Sequence, residues 1–285
     1  MILVADSGSS KTDWILSLRE DEKLQFRTSG INPFFLTEKE IIRLLQGVPE
    51  IQTNNAEVSE IYFFGAGCSS PDRREIISNA LSAVFPSAFV NAESDLVGSA
   101  YATCGNTKGL TCILGTGSNI SFYDGEEVMN GKHGLGYILG DEGSGTYFGK
   151  KLITEFLYGL MPDELRKAFT ERYELTKEDV IQSLYQKPAP NFYLASFTKF
   201  MSEQINHLFI RELLYQGFNE FIRTNIQSYP DYAKYQCHFV GSIAFHFQDI
   251  LRKACNDNNV AVGKILKQPI DELYKFILLR EIKNA

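Results

Sequence analysis

Apolar and polar positions along this chain fall into short blocks that predict an α/β protein. Residues 1–5 (Met-Ile-Leu-Val-Ala) read as a buried strand, with antiparallel partners at 14–18 and 24–28 joined by the polar turn 19–23. Thr37-Glu-Lys-Glu40 is a capping box that opens a helix to about Gln46. A short strand at 60–64 ends in Gly65-Ala-Gly67, and Ser70-Pro71 starts a helix with proline at its favoured first position. A brief strand at 87–90 precedes a helix opened by Ser94 or Asp95. Strand signals return at 110–114, 120–123 and 127–129, the last two joined by the turn Asp124-Gly125. Residues 131–149 are rich in glycine and read as one long functional loop. From Thr146 to about Ser228 the pattern is helical, interrupted at Pro162 and at Pro188-Ala-Pro190. A strand at 237–240, a helix from Ser242, a strand at 260–262 and a terminal helix at 271–282 follow. A strand–hairpin–strand run opens both halves, at Met1 and again at Leu110, which predicts two related lobes.

Three small-residue turns follow apolar strands: Asp6-Ser-Gly-Ser-Ser-Lys-Thr12, Gly115-Thr-Gly-Ser-Asn119 and Gly241-Ser242. Turns of this kind let several backbone N–H groups converge on an anion, as phosphate cradles do. Two cradles from separate halves, with a third turn later, predict a nucleotide held between lobes for phosphoryl transfer. The net charge of −7, without a long basic run, argues against nucleic acid or an anionic membrane as partner. Five cysteines (Cys68, Cys104, Cys112, Cys237, Cys255) form no CxxC pair, as expected of reduced thiols in a cytoplasmic protein. No apolar run reaches the ~18 residues of a membrane span.

With Gly30-Ile-Asn32, Asp95 and Gly140-Asp-Glu-Gly-Ser144 added, the ordered motifs resemble the N-acetylglucosamine kinases. These belong among the BadF/BadG-type ATPases of the actin, hexokinase and Hsp70 fold. The resemblance implies a two-lobed actin-like (ribonuclease H-like) α/β fold with a duplicated core and an interlobe cleft. Expected lobes are 1–105, with a terminal helix at 269–285 returning to it, and 106–268. The implied reaction is ATP- and Mg²⁺-dependent phosphorylation of an amino sugar, N-acetylglucosamine to its 6-phosphate, and the resemblance is compatible with a homodimer. Two alternatives stand beside it. One is an iron–sulfur ATPase that activates a 2-hydroxyacyl-CoA dehydratase, for which Cys112 is the suggestive thiol. The other is a non-enzymatic sugar sensor.

By resemblance Asp95 is the base for the sugar hydroxyl and Asp6 lies near Mg²⁺. Gly8, Ser9, Ser10, Lys11, Thr12, Thr116, Gly117, Gly241 and Ser242 hold the nucleotide, and Asn32, Ser118, Asn119, Gly134 and Asp141 meet the sugar. Each position also has a plain structural reading. Asp6 suits an Asx turn, Asp95 a helix N-cap, Asn32 before Pro33 a turn, Asp141 a cap for a helix near Glu142, and the second cradle an ordinary hairpin. Three positions depart from the family pattern. Ser7 and Ser9 replace glycines, so a positive φ at either would be strained, and Leu135 stands where tryptophan is common.

Overall fold

The computed structural model describes residues 1–8, 10–19, 22–129 and 134–284; Ser9, one of the expected phosphate ligands, lies outside the described residues. The chain divides into two compact units, Met1–Thr107 with Gly125–Val128 and Gln268–Ala285, and Lys108–Asp124 with Met129–Lys267.

Unit 1 is built on strands β1 (Ile2–Ser7), β2 (Lys11–Arg19), β3 (Glu22–Ser29), β4 (Glu60–Gly65) and β5 (Phe89–Ser94), in the sheet order β3-β2-β1-β4-β5. The hairpins β1–β2–β3 are antiparallel, while β4 and β5 run parallel to β1. Its helices are α1 (Glu38–Gln46), α2 (Pro49–Asn54), α3 (Pro71–Val84) and α4 (Asp95–Cys104). Leu3, Val4 and Ala5 are buried on both faces, as a central strand requires. Trp14 closes the core by stacking on Phe26 at 5.8 Å and leaning on Phe63 at 6.1 Å. The Thr37 capping box forms as expected, with Glu40 as its acidic partner.

Strand β5 runs four residues beyond the expected end. Asn91 and Glu93 look like loop residues, yet β5 is the sheet edge, where one face tolerates polar side chains. Its pairing with β4 continues to Gly65↔Ser94, which delivers Asp95 directly after the strand.

Unit 2 repeats the plan with β6 (Gly109–Leu114), β7 (Ser118–Tyr123), β8 (Val128–Met129), β9 (Gln236–Val240) and β10 (Ala261–Leu266) in the order β10-β9-β6-β7-β8. Written from the other edge this is the arrangement of unit 1, so the duplication expected from the paired strand–hairpin–strand runs is present. Helices α5 (Gly136–Leu139), α6 (Gly145–Leu157), α7 (Asp163–Tyr173), α8 (Lys177–Tyr185), α9 (Pro190–Ser196), α10 (Thr198–Glu203) and α11 (Leu208–Thr224) fill the stretch between β8 and β9. Helices α12 (Ser242–His246) and α13 (Gln248–Asp257) separate β9 from β10.

The single long loop expected at 131–149 is not found, because α5 and α6 occupy much of it. Glycines that look like loop formers serve close packing instead: a Cβ on Gly149 would run into the Leu194 backbone of α9. Strand β10 also outlasts its expected span, since Gly263 and a register shift make room for His238. The imidazole Nδ1 of His238 accepts the Lys264 N–H at 2.9 Å, a packing role rather than a catalytic one.

The chain then returns to unit 1 as α14 (Ile270–Asn284), which packs on α4, β1 and β2. Phe276 stacks on Tyr101 at 4.6 Å, and Asp271 accepts from Lys23 at 2.8 Å and Gln25 at 2.9 Å. All five cysteines are buried, and no described helix is long and apolar enough to cross a membrane.

Candidate active site

Parallel pairing puts the C-terminal ends of β1, β4 and β5 level, through Ser7↔Gly65 and Gly65↔Ser94. Asp6 and Asp95 therefore stand at the same end of one sheet, where open α/β sheets commonly bind ligands. Across the β1–β2 hairpin Asp6 faces Asp13. Burial, then the charges of Asp95 and Asp13, push the Asp6 carboxyl up to about 7, against a smaller pull from Lys11. Burial also raises Asp95 to about 6, opposed by the backbone N–H groups of Leu96 and of Asp95 itself. Asp95 is the first residue of α4, and the residue before it, Ser94, makes no side-chain cap bond. The aspartate is thus seated at a helix N-terminus, whose first N–H groups hold its carboxylate in place and favour its charged form.

Asp13 is the anchored member of the trio. It accepts from Lys11 Nζ at 2.6 Å, Arg27 Nε at 2.6 Å and Gln268 Nε2 at 3.2 Å. Lys11 is thereby held beside the first turn, where Gly8 N–H donates to the Lys11 carbonyl at 3.0 Å. Ser10 is exposed and Gly8 partly so.

Two details of this turn bear on its expected roles. Ser7 has no positive φ, so serine is not strained there; it lies in β1 with its hydroxyl donating to the Ile31 carbonyl at 2.9 Å. Thr12 does not offer its hydroxyl to a ligand, because that group is buried against Ser7 Oγ at 2.7 Å and accepts the Ile31 N–H at 3.2 Å. Together Ser7 and Thr12 pin the chain at Ile31. Asn32 follows, and its Oδ1 accepts the Phe34 N–H at 2.9 Å, so the turn reading is realised. Gly67 backs onto that amide with no space for a Cβ. Beside it, burial and then the Asp95 charge raise the Cys68 thiol to about 12, which leaves it inert.

In unit 2 the second turn is closed by Gly115 N–H on the Gly117 carbonyl at 3.0 Å. Thr146 secures it from α6, its hydroxyl donating to the Thr116 carbonyl at 2.7 Å. Gly241, at φ 125°, lies against this turn, and a Cβ there would collide with the Leu114 carbonyl. The turns at 115 and 241 are therefore neighbours. Ser242 begins α12 and is exposed.

Asp141 has φ 60°, an uncommon conformation for a non-glycine residue. It does not cap the following helix; Ser144 does, accepting the Tyr147 N–H at 3.1 Å. The Asp141 carboxylate instead accepts the Ser118 N–H at 3.2 Å, packs against Gly117, and is raised by burial despite that bond. Gly134, at φ 84°, abuts the Asn119 side-chain amide, whose Oδ1 accepts the Ile120 N–H at 2.9 Å.

Ser118, Gly134, Asp141, Glu142, Thr224 and Asn225 line a small cavity of about 80 Å³ in this unit, with Leu135 at its rim. Three expected sugar residues are thus brought together. Glu142, Thr224 and Asn225 were not anticipated. Glu142 sits inside a motif that drew attention to its neighbour, while Thr224 and Asn225 end α11, with no local pattern to mark them.

The sequence matches no family model and no curated protein. Among solved structures it is similar to a Porphyromonas gingivalis protein described as a candidate N-acetylglucosamine kinase. That likeness reaches 37% identity and a TM-score of 0.93, over 99% of this chain and 100% of that one. A Chromobacterium violaceum protein given the same description shares 14% identity at a TM-score of 0.70, over 97% of this chain and 98% of that one. A Streptomyces griseus ROK family glucokinase, solved with glucose and AMPPNP, shares 13% identity at a TM-score of 0.60, over 98% of this chain and 99% of that one. The last two likenesses show the fold. The first, at 37% identity over nearly the whole of both chains, shows that this chain belongs to the N-acetylglucosamine kinase family, sugar kinases on the actin-like ATPase fold.

Proposed function

We propose that the chain transfers the γ-phosphoryl group of ATP to O6 of N-acetylglucosamine or a close amino sugar. The observation that carries the mechanism is the pair of raised carboxyls, Asp6 at about 7 and Asp95 at about 6, at one end of one sheet. Asp95 is the base. As O6 attacks phosphorus, its proton passes to Asp95, the new O–P bond forms, and the bond to the β-phosphate breaks to release ADP. A carboxyl lifted towards neutrality is better matched to that proton than an ordinary one, and such a base commonly contributes about 10²–10⁴-fold.

Asp6 suits a divalent cation, since its carboxylate is crowded by Asp95 and Asp13 and is offset only weakly by Lys11. Magnesium commonly takes one or two carboxylates and completes its shell with water and phosphate oxygens. When bound, it would neutralise charge on the phosphates. Lys11, fixed by Asp13, supplies a second positive charge for them. Gly8, Ser10, Thr116, Gly117, Gly241 and Ser242 offer backbone or hydroxyl groups to the nucleotide. Asp141, Ser118 and Asn119 offer partners to sugar hydroxyls. Asn32 serves by shaping its turn. The iron–sulfur alternative is not favoured, because Cys112 is fully buried within β6, away from any surface at which a second chain's thiol could share a cluster.

The test is Asp95→Asn, assayed with a panel of amino sugars and neutral hexoses under ATP and Mg²⁺. Turnover should fall by about 10²–10⁴-fold while ATP affinity stays near wild type. A variant that keeps close to normal turnover would remove Asp95 from the role of base.

A further inference from the structure

We propose that Glu142 and Asn225 form a charge-reading wall of the unit 2 cavity, which admits neutral amino sugars and turns away those bearing a carboxylate. The proposal rests on the sugar kinase reading above and narrows its substrate class. Its first support is Asn225, which lines the cavity at only 6% exposure. Its main-chain N–H donates to Phe221 at 2.8 Å as the cap of α11. Its Nδ2 reaches Thr224 Oγ1 at 2.9 Å and Glu142 Oε2 at 3.4 Å. No described residue donates to its Oδ1. An amide oxygen left open on a nearly buried residue in a cavity wall is a place for a ligand donor.

The second support is the sign of the charge. Asp141 and Glu142 both line the cavity, and none of its described lining residues is a cation. Glu142 makes no ion pair with any described residue, and the Thr224 hydroxyl is spent on the Glu220 carbonyl at 2.8 Å. The wall therefore presents acceptors: two carboxylates and an amide oxygen. Sugar hydroxyls and an amide N–H satisfy acceptors; another carboxylate does not.

The wall is also firmly held. Gly143, at φ 68°, lies against the Phe221 side chain, with 3.0 Å from its would-be Cβ to that of Phe221. The Asp141–Glu142 segment is thereby fixed to α11 and cannot easily swing aside for an anion.

N-acetylglucosamine and N-acetylmuramic acid make the cleanest pair of probes, since the second adds a lactyl carboxylate to the same ring and acetamide. A sugar carboxylate about 6 Å from Glu142, at an effective dielectric of about 20, should lose about 100-fold in affinity. The experiment measures kcat/KM for both sugars with wild type, Glu142→Gln and Asn225→Asp, with circular dichroism to confirm folding. Wild type should favour the neutral sugar by about 100-fold, Glu142→Gln should shrink that ratio by about tenfold or more, and Asn225→Asp should widen it. Equal use of both sugars by wild type, or an unchanged ratio in Glu142→Gln, overturns the proposal and leaves the kinase reading standing. Failure of wild type to phosphorylate either sugar would count against the kinase reading. Calorimetric binding without ATP then decides the wall by itself: preference for the neutral sugar upholds it, and equal or absent binding overturns it.

Discussion

Replacing Gly241 with alanine should be among the most damaging single-methyl changes available in unit 2. The residue has φ 125° and ψ 164°, a region that is essentially glycine's alone and costs other residues about 1–3 kcal/mol. The added Cβ would also collide with the Leu114 carbonyl and stand 3.0 Å from the Gly115 nitrogen. Both are backbone atoms at the end of a central strand, so neither can rotate away. Relief requires moving Gly241, which breaks its N–H bond to Leu266 at 2.9 Å, or pushing the Gly115 turn out of place. Losing that bond adds about 1 kcal/mol, for a total of about 2–4 kcal/mol. Gly105→Ala is the control, for it too has positive φ, 61°, but nothing lies within 4 Å of its Cβ position. Urea denaturation followed by circular dichroism, with ATP affinity measured on the folded fraction, makes the comparison. Because the two turns are neighbours, Gly241→Ala should also weaken ATP binding, and Gly105→Ala should not. Equal transition midpoints for the two variants would refute the reasoning.

The remaining predictions concern the carboxylates of unit 1. Asp6 and Asp95 hold protons in the folded chain that the unfolded chain releases near pH 4, so between about pH 4 and 7 the native state binds more protons. Their contribution to stability therefore falls as pH rises through that window. In the absence of divalent cations, Asp6→Asn should raise stability at pH 8 relative to pH 5 by about 1–2 kcal/mol against wild type, after discounting for partial exposure. Denaturation at both pH values checks this, and an identical pH difference in variant and wild type would contradict it. Lys11→Met should raise KM for ATP by about 10–100-fold with a smaller effect on KM for the sugar, since charge-assisted phosphate contacts are worth about 1.5–3 kcal/mol. Asp13→Asn should shift the same constant in the same direction but less, because Lys11 persists without its anchor. Steady-state kinetics that show no change in the ATP constant for Lys11→Met would exclude it from the phosphate site.

Much of the fold is legible in the sequence because its signals are local. The apolar run at 2–5, the Thr37–Glu40 box and Pro71 each settle an element within a few residues. The repeated sheet order is also visible, as two strand–hairpin–strand runs. What escapes is whatever depends on a distant neighbour. Gly149 looks like a loop glycine until the Leu194 backbone is seen against it. Strand β5 looks short until its place at the sheet edge licenses Asn91 and Glu93. The candidate site divides in the same way. Its glycine turns and aspartates announce themselves by motif, whereas the inward turn of the Thr12 hydroxyl depends on Ile31, nineteen positions away. Asn225 joins Glu142 across eighty-three positions, and no pattern in either segment points to the other.

The return of α14 to the first unit has a consequence for how the chain is made. Gln268 completes the set of groups around Asp13, and Phe276 covers Tyr101 on α4. A ribosome must therefore synthesise all of unit 2 before the unit begun by β1 is whole, at about 5–20 residues per second. Unit 2, contiguous apart from a few residues, can gather its core during that interval, while Asp13 waits for Gln268 and Tyr101 for Phe276.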